Sequence, residues 1–313
     1  MLYSARMTQI SYIVAVDNQS HRLDALLQSL RAQEEDLSCE YVFVDDGSTD
    51  GSFEALIEKT RRWPRTLLIQ QRRQGPAAAM LAGAKAATGD AWLFLDGDAV
   101  SAPWAAQAMF GALRGGTVDL VLATEAVCPA PEAFDFGEPP AADDLERMPD
   151  ALYDLLDAMP PPRGRILVRR SLFRGADFFV PGTAAPEFLP SLAAAAGGGV
   201  VRLNRPAFAV RPDDPSRVRL AAGQAERAFS AAVLAFLATH QDLPPRCRRV
   251  ALLGALRRAW KQARARRHAG LTARFFWLYI KALLGGAGNV ATTLADSLSA
   301  WDDAPLRRSA AGN

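Results

Sequence analysis

The chain has 313 residues, half of them hydrophobic and 22% charged, with 36 lysines and arginines against 34 aspartates and glutamates for a formal net charge of +2. That length suits one large domain with an appendage, or two domains, and the composition supports a substantial core and excludes global disorder. Three widely spaced cysteines, Cys39, Cys128 and Cys247, exclude a disulfide framework and a zinc site and agree with a reducing, cytoplasmic compartment.

The first ten residues lack an apolar run, so no secretory signal is expected, and no stretch of about eighteen uncharged apolar residues predicts a membrane span. From residue 10 to 123, short apolar runs alternate with helical periodicity. Strands are expected at 10–16, 41–44, 66–69, 91–95 and 118–122, and helices at 21–33, 53–61, 76–87 and 102–113. Pro76 and Pro103 sit near helix starts, where a missing N–H costs nothing. Such alternation predicts an α/β fold whose parallel sheet is covered by helices on both faces. Residues 129–162 differ, being rich in proline and in carboxylates that face only Arg147. They read as a long acidic loop with a short helix near 152–159, either a solvated insertion or a lid. Regular structure is expected again at 166–168, in a helix at 186–196, and in strands at 200–203 and 207–210. After residue 219 the pattern is purely helical, which places a domain boundary near 217. Between Asp242 and Asp296 there is no acidic residue, and eleven lysines and arginines lie from Arg246 to Lys281.

Two of the predicted strands end abruptly in paired carboxylates. Residues 41–50 read Tyr-Val-Phe-Val-Asp-Asp-Gly-Ser-Thr-Asp, and residues 92–98 read Trp-Leu-Phe-Leu-Asp-Gly-Asp. The C-terminal ends of strands are where open α/β sheets bind ligands, so Asp45 and Asp46 are expected beside Asp96 and Asp98 on one rim. Crowded carboxylates repel one another unless a cation joins them. Oxygen ligands suit Mg²⁺ or Mn²⁺, which completes its shell with substrate phosphates. The expected ligand is a metal-bound diphosphate.

These residues resemble the inverting family 2 glycosyltransferases of GT-A fold. Ile13-Val14-Ala15-Val16-Asp17-Asn18 stands where the family's first strand ends, and residues 44–50 match its Val-Asp-Asp-Gly-Ser-Thr-Asp motif completely. Gln74-Gly75-Pro76-Ala77-Ala78, Ala87-Thr88-Gly89-Asp90 and Asp96-Gly97-Asp98 follow in the family's order and spacing. The resemblance covers about residues 8–217 and makes 1–217 a GT-A domain, with 218–313 a basic helical extension. It implies a nucleotide-diphosphate sugar as donor and a saccharide or lipid-linked acceptor. Asp45 or Asp46 would bond the nucleobase or ribose, Ala15 and Asp17 would line the base pocket, and Asp96 and Gly97 would border the nucleotide. Asp98, helped by Asp96, would hold the metal that neutralises the leaving diphosphate. Arg72 and Arg73 would add positive charge there or remain solvated, and Gly75 would let the backbone approach the ligand at a helix start.

The family's catalytic base corresponds in place to Glu187, one methylene longer than the usual aspartate. A base must reach the acceptor hydroxyl, whereas a glutamate in a first helical turn is also favoured by the helix dipole alone. Asp213 stands at a position that is usually histidine; it would ligate the metal, or belong to a plain Asp-Asp-Pro turn. Ala79-Met80-Leu81 departs from the family's Ala-Arg-Asn. Two other readings compete. A nucleotidyltransferase would need a Gly-rich loop with a lysine near the first strand, and residues 15–20 offer none. A degenerate, non-catalytic nucleotide-binding or scaffold module draws support from these departures. In the basic helices, residues 274–281 combine aromatics and cations. They suggest either peripheral contact with an anionic membrane through 246–284 or packing on the acidic loop, and no nucleic-acid-binding module is visible.

Overall fold

The computed structural model describes residues 9–33, 37–114, 116–157, 165–173, 188–197, 199–212, 225–286 and 290–301. The alternating part folds as β1 (Ile10–Val16), α1 (Leu23–Arg31), β2 (Cys39–Asp45), α2 (Ser52–Thr60), β3 (Thr66–Gln70), α3 (Pro76–Ala86), β4 (Ala91–Asp96), β5 (Val100–Ser101), α4 (Ala105–Arg114) and β6 (Leu120–Val127). Every expected strand and helix of this region is present, with ends moved by a few residues. The rest comprises β7 (Leu145–Arg147), α5 (Ala151–Asp157), β8 (Arg165–Arg169), α6 (Phe188–Ala196) and β9 (Val200–Val210). Four further helices follow: α7 (Ala225–Thr239), α8 (Pro245–Ala265), α9 (Ala269–Leu283) and α10 (Val290–Ser297).

Among the described residues the strands form one sheet in the order β3-β2-β1-β4-β8-β6-β9-β5, with β7 added against β9. Strands β3, β2, β1 and β4 are parallel, as the alternation implies. β8 is not: it runs antiparallel between β4 and β6, so the sheet is mixed. The two strands expected at 200–203 and 207–210 are one strand whose pairing with β6 shifts register near Ala123 and Thr124. Within the acidic loop, α5 occupies 151–157 and β7 pairs with β9, so much of this segment has regular structure.

The central strands bury both faces, which is why they read as continuous apolar runs. Alternate residues of β1 serve opposite sides. Ile13 packs with Val42, Val44, Met80 and Phe94, while Tyr12 and Val14 pack with Leu26, Phe43 and Leu95. The first of these cores continues into the C-terminal helices. Phe229, Val233 and Phe236 of α7 belong to it, and the Phe229 ring lies edge-on to Phe188 of α6 at 5.1 Å. α8 faces two ways, giving Val250 and Ala251 to this core and Leu252, Leu256 and Ala259 to another shared with Phe275, Leu294 and Trp301.

The basic helices pair with the acidic segment: Arg246 with Asp150 and Arg257 with Asp157, each at 3.2 Å. Arg274 meets Asp296 at 2.8 Å. Arg258 is buried over the Phe229 ring at 4.7 Å, with Nε donating to Ser230 Oγ; burial first, then neighbouring Arg257, pulls its pKa down to about 9. No helix among the described residues is long and apolar enough to cross a membrane.

α3 lies close against β1 and β2 because its inner face is small. A Cβ on Gly83 would come within 2.5 Å of Ile13 Cγ2 and 3.2 Å of Val44 Cγ2, both on β-branched side chains that cannot swing aside. Gly83→Ala gains about 1 kcal/mol of helix propensity, yet we expect a net loss of about 1–2 kcal/mol from overpacking. Urea denaturation measures it, and an unchanged or raised midpoint would show that α3 can move away from the sheet.

Candidate functional site

The carboxylates gather where β1, β2 and β4 end. Register places Val16 opposite Asp45 and Ala15 opposite Asp96, so β1 runs between the two acidic strand ends. Asp45 and Asp96 therefore share a rim but stand two strand spacings apart, about 10 Å. The rim forms two acidic groups rather than the one crowd expected from the motifs. Among the described residues no cluster of three or more His, Cys, Asp or Glu side chains is placed to hold a metal.

In the first group Asp45, Asp46, Gly47, Ser48 and Asp50 of the Val-Asp-Asp-Gly-Ser-Thr-Asp motif each have a physical task. Asp46 is buried; its Oδ1 accepts from Gln71 Nε2 at 2.7 Å and Gln74 N at 2.8 Å, and its Oδ2 from Gly75 N at 2.7 Å. It fixes the turn that opens α3. Asp45 is buried too; Oδ2 accepts from Ser48 N at 3.2 Å, while Oδ1 has no hydrogen-bond partner. Gly47 adopts φ +74°, and a Cβ there would meet the Arg73 backbone nitrogen at 2.8 Å, so two turns are packed where only glycine fits.

Ser48, Asp50 and Ser52 lace this turn to the one after β1. Asn18 N donates to Ser48 Oγ, Gln19 N to Ser52 Oγ and Ser20 N to Asp50 Oδ2, at 2.8–3.0 Å. Burial works to raise the Asp50 pKa, but donation from Ser52 and Ser20 outweighs it and holds the carboxyl at about 2. Asp17 is gripped by both Nη atoms of Arg73, at 2.9 and 2.5 Å. Ala15 is half-buried at the end of β1.

The second group surrounds β4. Gly97 N donates to Ala15 O at 2.8 Å and ties the turn to β1. Asp96 Oδ2 is 2.5 Å from Arg165 Nη1, and Arg165 Nε is 3.5 Å from Glu125 Oε2. Burial would lower the Arg165 pKa, but Asp96, Glu125 and Asp98 together hold it raised above the ordinary guanidinium value. The Asp98 side chain is buried, with Oδ2 3.7 Å from Arg22 Nη1. Beside it opens a cleft of about 420 Å³ lined by His21, Arg22, Asp24, Asp98, Glu132 and Arg211. Arg211 closes one side by bonding both oxygens of Glu132, at 2.8 and 3.1 Å. Hard carboxylate oxygens at a strand end beside an open cleft fit Mg²⁺ or Mn²⁺, an ion that leans on few protein ligands and takes the rest of its shell from substrate oxygens.

Arg22 and Arg165 were not legible as site residues. Arg165 opens the apolar run Ile166-Leu167-Val168 in the manner of a strand-end charge, and Arg22 lies in a turn without a motif. Glu187 and Asp213, expected as base and further metal ligand, lie outside the described residues.

The sheet, its flanking helices and its acidic rim make a mixed α/β architecture of GT-A type. Residues 11–137 match the family model of glycosyl transferase family 2. It is 26% identical over 109 residues to a dolichol-phosphate mannosyltransferase of Pyrococcus furiosus, covering 35% of this chain and 31% of that one. The chain spans about a third of the length of the curated relatives it matches. Likeness of fold reaches further. TarS of S. aureus, solved with UDP-GlcNAc, aligns over 92% of this chain and 91% of its own at a TM-score of 0.56 and 17% identity. The mannosyltransferase PcManGT of Pyrobaculum calidifontis, solved with GDP-Man and Mn²⁺, aligns over 94% and 86% at 0.55 and 17%.

Asp46 is an anchor before it is anything else. Asp46→Ala leaves two part-buried backbone N–H groups and an amide unpaired, and should destabilise the fold by about 1–3 kcal/mol in urea denaturation. A loss below about 0.5 kcal/mol would mean that water replaces the carboxylate without cost.

Proposed function

We propose that the chain transfers a sugar from a nucleotide-diphosphate sugar, of which a UDP-sugar is the first choice, to a saccharide or lipid-linked acceptor, with inversion at the anomeric carbon. The observation that carries this reading is the pair Asp96 and Asp98 at the end of β4, beside a cleft lined by Arg22 and Arg211. Asp98, with Asp96 adjacent and Asp213 as a further candidate, is the proposed holder of Mg²⁺ or Mn²⁺. The ion would supply charge neutralisation for the leaving diphosphate. Asp45, with one buried oxygen to spare, is better suited to a nucleobase or ribose contact than Asp46, whose oxygens already hold the turn into α3.

In the proposed displacement the acceptor oxygen bonds to the anomeric carbon as the bond from that carbon to the diphosphate oxygen breaks. The electron pair leaves on the nucleotide diphosphate, and the acceptor proton passes to a carboxylate, which we assign to Glu187. Attack opposite the leaving group inverts the centre. The relative whose name specifies dolichol phosphate supports a lipid-linked acceptor, and hence work in envelope or exopolysaccharide synthesis at the inner face of a membrane.

In this reading residues 1–217 carry the transfer and 218–313 the surface contact. Phe275 is core and Arg246, Arg257 and Arg274 are paired within the molecule, so the aromatic-basic stretch contributes less free surface than its sequence promised. One exposed stripe runs along α9 to its C-cap, where Trp277 (66% exposed), Lys281 and Leu284 (83% exposed) recur at helical spacing.

Three outcomes are expected. Asp98→Ala should retain the wild-type melting transition and lose Mn²⁺-dependent UDP binding in titration calorimetry; unchanged affinity would remove Asp98 from the metal site. Glu187→Gln should still bind nucleotide sugar but release diphosphate about 10²–10⁴ times more slowly; a rate within about threefold of wild type would place the base elsewhere, and wild-type binding without any turnover would favour a non-catalytic module. Trp277→Ala combined with Leu284→Ser should halve or more the fraction sedimenting with anionic vesicles. Equal sedimentation with neutral vesicles, or no change in the double variant, would overturn the membrane contact.

A further inference from the structure

A metal-binding rim needs carboxylates, yet this one has a buried guanidinium built into it. Arg165 begins β8, the antiparallel strand inserted between β4 and β6, and stands opposite Ala123 of β6. Its side chain is 11% exposed and contacts carboxylates from both neighbouring strands, Asp96 at the end of β4 and Glu125 on β6. The Arg165 guanidinium stays charged between its carboxylates, and its planar fork fixes the partners it bonds. To turn toward a substrate, Arg165 would have to leave two poorly solvated carboxylates uncompensated, at a cost that keeps it in place.

The geometry points to Arg165 as a positioning residue for the proposed donor site: its guanidinium holds Asp96 against β8 and offsets the rim's negative charge, so that Asp98 alone faces the cation and a diphosphate can approach. This rests on the reading that the rim binds a metal–nucleotide diphosphate. Two consequences separate it from a purely structural ion pair. Asp96 is committed to Arg165, so Asp96 and Asp98 are not interchangeable ligands. The loss of Arg165 also exposes the incoming diphosphate to two carboxylates no longer compensated, which weakens binding without touching the ligand directly.

The test compares Arg165→Met, Arg165→Lys and a control on the same strand, Arg169→Met, which breaks the 3.4 Å pairing with Asp119 at the far end of β8. Each is titrated with UDP in the presence of Mn²⁺, and melted without ligand. Arg165→Met should lose about tenfold or more in Mn²⁺-dependent UDP affinity. Arg165→Lys, which keeps the charge but not the fork, should recover part of the loss, and Arg169→Met should bind as wild type even where its melting temperature falls as far. Arg165→Met binding within about threefold of wild type, or Arg169→Met weakening binding equally, overturns the proposal. If the wild-type chain itself binds no nucleoside diphosphate with Mn²⁺ or Mg²⁺, the donor-site reading fails. The charge pairing is then decided by urea denaturation: Arg165→Met should lower the midpoint, and adding Asp96→Asn should restore part of it. Absence of that recovery removes the pairing as well.

Discussion

Everything at the rim depends on β1 being buried on both faces and paired along both edges. The strand brings no charge of its own along residues 10–16, yet its register sets where the charges stand, with Asp45 level with Val16 on one side and Asp96 level with Ala15 on the other. Two backbone bonds complete the arrangement, Asp46 N to Val16 O and Gly97 N to Ala15 O, each at 2.8 Å. A slip of one residue would send the apolar side chains of β1 to the wrong faces and carry both turns with them. The hydrophobic pattern thus fixes the electrostatic one.

Charge compensation then divides the rim. Asp46 is satisfied by backbone and amide donors, Asp17 by Arg73, Asp96 by Arg165, and Asp98 stands near Arg22. Carboxylates so compensated can be packed beside a cleft with less mutual repulsion. They also differ in how readily they are released. The Asp46 contacts cannot be exchanged without undoing the start of α3, whereas Arg22 Nη1 and Asp98 Oδ2 stand 3.7 Å apart, beyond hydrogen-bond range.

Much of this was legible in the sequence. Strands β1 to β4 and helices α1 to α4 follow from apolar runs alternating with 3.6-residue periodicity, and the acidic strand ends follow from where those runs stop. What was not legible is non-local. The antiparallel insertion of β8 depends on pairing across the sheet, which propensity does not encode. Arg165 escaped notice because its partner Asp96 is 69 residues away. The same limit applies to the C-terminal helices, where a run of cations suggested a free basic surface, but Asp150 and Asp157 take up two of them across about a hundred residues. Phe275 turned inward because successive helical residues point about 100° apart, so a run of aromatics cannot share one face.

The central claim is that the end of β4 holds a divalent ion and, through it, a nucleoside diphosphate. Anomalous diffraction from crystals grown with UDP and Mn²⁺ addresses it directly. The account predicts a manganese peak at coordination distance from an Asp98 oxygen, the diphosphate in the cleft beside Arg22, and Asp96 still bonded to Arg165. A manganese ion bound elsewhere, or a nucleotide seated at the rim with no ion at Asp98, would contradict it.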